Sequence, residues 1–265
     1  MFKFTSTIER LYIGQDRIPV LLFYKEGSSK PVVFCQHGLL GDKRYTLSTC
    51  LRLADSGFLA ISMDARDHGE RMESRFWQRL RMNMPSFFFP ILLGTAKDVG
   101  KVIDYLEERV EADVERVGMM GVSMGGFITV LSVTLEERIK AAVSVLAGAN
   151  YGILMRRQLQ EKGLNETLGL ANESFTDFDE HSKEFVEDYD PINHVNRFRP
   201  IPLLLLNRER DHLVPLECAT SLYDALQPTY KKTLDKLRLK VYPGVAHEYS
   251  QEMEMEVIEW FKVNL

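Results

Sequence analysis

The segment Gly121-Val122-Ser123-Met124-Gly125-Gly126 crowds three glycines around one serine. A flexible linker would be long and polar. This segment instead lies between the largely apolar runs Val114–Met120 and Phe127–Leu131. The glycines therefore belong to a tight corner inside a packed domain, with a strand entering and a helix leaving.

The chain around that corner suffices for one large core: 265 residues, 45% of them hydrophobic and 27% charged. A net charge of −5 argues against nucleic acid as a partner. The first six residues alternate in polarity and build no signal-peptide core. The longest apolar stretch, Phe87-Phe88-Phe89-Pro90-Ile91-Leu92-Leu93, is far short of the roughly 20 residues of a membrane span. Cys35, Cys50 and Cys218 have no metal-like spacing and read as reduced thiols of a cytoplasmic protein. Oligomeric state is left open.

Short β-branched runs alternate with helical patterns, which predicts an α/β domain with a mainly parallel sheet. Residues 8–13 and 18–24, joined by Gly14-Gln15-Asp16-Arg17, read as an antiparallel pair. Further strands are expected at 32–36, 59–64, 117–121, 141–146, 203–207 and 239–242, giving eight, most of them apolar throughout and so covered on both faces. Helices are expected over 95–110, 124–134, 215–226 and 250–263. Residues 68–94 and 149–199 are too long for simple connections. The economical arrangement is one domain, 1–265, with a helical insertion at about 149–199.

Strand, Gly-Val-Ser-Met-Gly, helix is the nucleophile-elbow pattern. Side chains at 121 and 125 would collide with the neighbouring strand and helix, which explains those two glycines. A helix starting at Met124 aims its free N–H groups and positive end at the serine hydroxyl. A serine needs a base, and the base needs an orienting acid. Asp211 follows the strand 203–207, and His247 follows the strand 239–242 in a loop of small residues. Glu209 is the rival for the acid. His212 would project away from its neighbour Asp211; His181 and His194 lie in the insertion, as do Asp179, Asp188 and Asp190, which read as a solvated charged face. A second oxyanion donor is assigned to the N–H of Leu39, in the turn His37-Gly38-Leu39-Leu40-Gly41, paired with the N–H of Met124. His37 reads as a brace of this turn. His68 either lines the site or braces the two loops.

With those residues in place, the whole chain resembles the α/β-hydrolase superfamily. Within it the chain is most similar to the dienelactone-hydrolase and prolyl-oligopeptidase-like branch, which includes small bacterial and cinnamoyl-type esterases. The resemblance rests on residues 37–41, 64–69 and 121–126 with Asp211 and His247. It implies an eight-stranded, mostly parallel sheet with helices on both faces and a small helical lid. One departure stands out: the branch reads D-x-R-G-H-G after the fourth strand, and here Asp67 occupies the glycine position.

The assembled parts predict a serine hydrolase of small carboxylic esters, needing neither metal nor organic cofactor. An acyltransferase or peptidase on the same fold, or an inactive binding module, are the other readings. Met155, Leu159, Leu164, Leu168, Leu170 and Phe175 are expected to line the underside of the lid, with Phe88 and its neighbours, in the loop after the fourth strand, forming the opposite wall.

Overall fold

The computed structural model describes residues 6–27, 29–161, 179–244 and 246–265. Eight strands form one sheet: β1 (Ser6–Ile13), β2 (Ile18–Lys25), β3 (Lys30–Gln36), β4 (Leu59–Met63), β5 (Ala112–Val122), β6 (Ile139–Val145), β7 (Leu203–Arg208) and β8 (Leu237–Tyr242). Their spatial order is β1-β2-β4-β3-β5-β6-β7-β8. The first two strands form a hairpin whose turn closes with Arg17 N–H donating to Gly14 O at 3.1 Å. β2 pairs antiparallel with β4, and every later pairing is parallel. This is the α/β-hydrolase fold.

The two-residue period of the strands sends alternate side chains into two separate cores. Val32, Phe34, Leu203 and Leu205 face one layer; Val33, Cys35, Leu204 and Leu206 face the other. The first layer is covered by α3 (Met84–Leu106), α4 (Met124–Leu135) and α7 (Glu217–Leu226). The second is covered by α1 (Leu47–Asp55) and α8 (Gln251–Asn264). The central strands can therefore spare no polar face and read as near-continuous apolar runs, whereas β1 and β8, at the two sheet edges, carry charged residues.

Two expectations need correction. Phe87, Phe88 and Phe89 are not in a loop: α3 begins at Met84, not at residue 95, and ends at Leu106, leaving Val110 exposed. Asn83 caps it by accepting from Ser86 N–H at 3.1 Å, and Pro85 sits in the first turn, where its missing N–H costs nothing. Pro90 lies inside the helix and argues locally against it. The burial of Phe87, Phe88, Phe89, Ile91 and Leu92 outweighs that local cost. Between β4 and α3 runs a shorter helix, α2 (Phe76–Met82).

The second correction concerns Met155 and Asp190 of the insertion. Its described ends, α5 (Tyr151–Glu161) and α6 (Glu180–Tyr189), begin and finish in the main core. Tyr151, Leu154, Met155 and Phe185 are buried, and the Phe185 ring stacks on Phe89 at 4.8 Å. Asp190 is likewise buried rather than solvated, accepting from the N–H groups of Asn150 (2.9 Å) and Tyr151 (2.5 Å) at the start of α5. Burial pushes its carboxyl up to about 6. Leu164, Leu168, Leu170 and Phe175, and the side chain of Leu159, lie outside the described residues. Among the described residues no helix is long and apolar enough to cross a membrane.

Candidate active site

β5 ends at Val122 and α4 begins at Met124, so Ser123 alone makes the corner. Its φ of 57° and ψ of −120° put a non-glycine residue in a sparsely populated region. The corner is held from two sides. Ser123 N–H donates to Val145 O at 2.8 Å, and its carbonyl accepts from Gly126 N–H at 2.8 Å. A β-carbon on Gly121 would lie 2.1 Å from the carbonyl oxygen of Gly125, and one on Gly125 would strike the backbone at the end of β3. Both glycines are thus forced by backbone contact.

The parallel strands β7 and β8 end at the same edge of the sheet as β5, and the loops beyond them bring Asp211 and His247 to Ser123. The Ser123 hydroxyl donates to His247 Nε2 at 2.8 Å, and His247 Nδ1–H donates to Asp211 Oδ2 at 2.7 Å. Asp211 is buried, and its other oxygen accepts from the N–H groups of Leu213 (2.8 Å) and Val214 (3.0 Å). Those bonds hold the carboxylate aimed at His247. Glu209 is exposed and faces Arg210 at 3.9 Å, away from this chain of hydrogen bonds. His212 is exposed, as is His181. His194 donates to Glu187 O within the insertion. Asp179 caps α6, and Asp188 is exposed.

Opposite Ser123 stands the turn after β3. A β-carbon on Gly38 would lie 3.4 Å from that of Ser123, so the turn packs against the corner at Ser123. Gly41 N–H closes it onto Gly38 O at 3.0 Å, with Leu40 at a φ of 63°. Leu39 occupies the turn between them, and Met124 is the first residue of α4. Among the described residues neither of their N–H groups donates to another protein group.

The Dienelactone hydrolase family model matches residues 18–166, and the Prolyl oligopeptidase family model matches residues 93–265. The chain belongs to this branch of the α/β-hydrolases. It is 27% identical to YitV of Bacillus subtilis over 94% of its own length and 96% of that protein. Esterase YjfP of Escherichia coli is also 27% identical, with the same coverage. Among solved structures, TT1662 from Thermus thermophilus superposes with a TM-score of 0.76 at 21% identity, covering 98% of both chains.

Asp67 sits at a φ of 56°, the left-handed region that suits glycine and that aspartate tolerates better than most residues. Its carboxylate also meets Arg79 at 3.1 Å. His37 is fully buried: Nδ1–H donates to Gly38 O at 2.8 Å, and Nε2 accepts from Ala65 N–H at 3.0 Å. Burial lowers its pKa to about 4, so it is neutral and ties the turn to the loop after β4. His68 is buried too and donates from Nδ1 to Arg66 O at 2.9 Å, with its ring 5.4 Å from that of His37. Phe88 is buried in α3 beside Phe89.

Sequence reasoning missed the polar residues under these loops. Asp98, buried in α3, takes both Arg66 (3.0 and 2.8 Å) and Arg71 (2.8 Å). Asp64, buried at the end of β4, takes Lys43 at 2.7 Å. The signal available was a carboxylate inside an apolar helix face and one just past an apolar strand, each demanding a partner.

Proposed function

We propose that the chain hydrolyses small carboxylic esters through Ser123, His247 and Asp211 and a covalent acyl-enzyme. The observation that carries this reading is the continuous run of hydrogen bonds, 2.8 Å from Ser123 to His247 and 2.7 Å from His247 to Asp211. Because Asp211 accepts from Nδ1–H, His247 keeps a lone pair on Nε2 for the serine proton. Ser123 Oγ attacks the ester carbonyl as His247 Nε2 takes its proton. The oxyanion is met by the N–H groups of Leu39 and Met124 at the positive end of α4. His247 then returns the proton to the departing alcohol. Water, activated by the same histidine, attacks the acyl-Ser123 ester and releases the acid.

The names carried by YjfP and by a cold-adapted esterase from an Arctic metagenomic library support ester bonds as the target. The match to the Prolyl oligopeptidase family model favours a second reading, amide hydrolysis by the same residues. On the first reading the chain is one domain whose insertion lids the site, and short or aromatic acyl groups are preferred. Acetyl and butyryl nitrophenyl esters should be cleaved and a palmitoyl ester poorly. Failure to cleave any ester, with turnover of peptidyl nitroanilides, would reverse the order of the two readings.

A further inference from the structure

The turn carrying Leu39 is held at both ends by the loop that follows β4. On its near side, His37 bridges Gly38 O and Ala65 N–H. On its far side, two residues past Gly41, Lys43 meets Asp64 twice. Its N–H donates to Asp64 Oδ1 at 2.8 Å and its ammonium to Asp64 Oδ2 at 2.7 Å. Asp64 Oδ2 also accepts from Glu70 N–H at 2.9 Å. The carboxylate is wholly buried and the Lys43 side chain is 7% exposed. The fit leaves no slack: a β-carbon on Gly69, at a φ of 55°, would lie 2.4 Å from the Asp64 carboxylate. Lys43 also bonds Glu70, which accepts from Arg10 and Tyr12 of β1, each at 2.6 Å. Burial works against the lysine charge, but Asp64 and Glu70 outweigh it and hold its pKa above the ordinary value.

An apolar pair of the same size would pack these loops together without fixing the turn's orientation. Charge-assisted hydrogen bonds to a buried carboxylate fix direction as well as distance. We propose that Asp64 and Lys43 are positioning residues for the oxyanion site, a role that rests on the esterase reading above. They act through the backbone of the turn, setting where the Leu39 N–H points, and neither touches the reacting atoms. Removing either bond lets the turn rotate while Ser123, His247 and Asp211 stay in register.

The test uses the full chain with Asp64→Asn and, separately, Lys43→Gln, which keeps the backbone N–H bond to Asp64 and guards against a folding failure in the first. Each is assayed on butyryl nitrophenyl ester and by inhibition with phenylboronic acid, whose tetrahedral serine adduct places an oxygen in the oxyanion position. The expected result is a fall in kcat of about 10- to 100-fold, with KM within about threefold of the parent. The boronate should weaken by a similar factor, and the double variant should be little worse than the poorer single one. A pair that only stabilises the fold would lower the unfolding midpoint and leave kcat and boronate affinity of the folded protein unchanged. That result, with an active parent, overturns the positioning role alone. An inactive parent, or a Ser123→Ala variant as active as the parent, overturns the esterase reading itself.

Discussion

A β-carbon built on Gly125 would stand 2.3 Å from the carbonyl oxygen of Gln36 and 2.7 Å from that of His37. The first turn of α4 is therefore pressed directly on the end of β3, where the turn carrying Leu39 begins.

Gly125→Ala should consequently damage both stability and turnover. The obstruction is main chain, which cannot swing aside as a flexible side chain would, so a loss of about 2 kcal/mol or more is expected. Gly152→Ala is the control, since the nearest atom to its added carbon is 3.7 Å away. Urea unfolding of the two variants checks the contrast. Equal losses would mean that the close approach at Gly125 has no special weight.

Ser123→Ala should abolish ester turnover and leave the fold intact. Losing the nucleophile costs on the order of 10⁴-fold or more in kcat. The unusual φ of 57° at this position predicts no gain in stability from the alanine, which is no better suited to it than serine. A variant retaining a tenth of the parent rate would refute the assignment.

Asp211→Asn keeps the shape of the acid but offers an N–H₂ to His247 and so favours the wrong imidazole tautomer. The rate at neutral pH should drop by roughly 10⁴-fold. Glu209→Gln, on an exposed side chain outside the hydrogen-bonded run, should be close to neutral. Reversal of the two effects would give the role to Glu209.

His37 makes a prediction about acid stability. Its pKa is about 4 in the fold, because burial disfavours the charged ring, against about 6.5 in an unfolded chain. Between those values the unfolded state binds the extra proton, so stability rises with pH across this window and falls on acidification. The shift corresponds to about 3 kcal/mol lost between pH 7 and pH 4. His37→Asn should be less stable at pH 7 but should lack this share of the acid slope. Urea unfolding at both pH values measures it, and an unchanged slope in the variant would assign the acid sensitivity elsewhere.

The elements legible in the sequence are those whose cause is local. The central strands were legible because they are apolar runs buried on both faces, as at Val32–Cys35 and Leu203–Leu206. Gly121 and Gly125 announced the corner at Ser123 because a β-carbon at either would strike neighbouring backbone. Asp211 and His247 could be named because each directly follows a strand that ends at the sheet edge carrying Ser123. The start of α3 was not legible: Phe87, Phe88, Phe89 and Pro90 argue against a helix until tertiary packing buries them. At helix α1 the cap residue Thr46 does not cap, since its hydroxyl bonds Cys35 O across the fold. Asp190 read as a surface charge because its partners, the N–H groups of Asn150 and Tyr151, lie some forty residues earlier in the chain.

The central strands, the corner at Ser123 and the strand ends that carry Asp211 and His247 follow from residue order alone, because periodicity and steric necessity act over a few residues. The meeting of Lys43 with Asp64 and the stacking of Phe89 on Phe185 follow from the folded chain. The physical reason is that a buried charge or a large ring takes whatever partner the fold brings within a few ångströms, and sequence spacing carries no record of that partner.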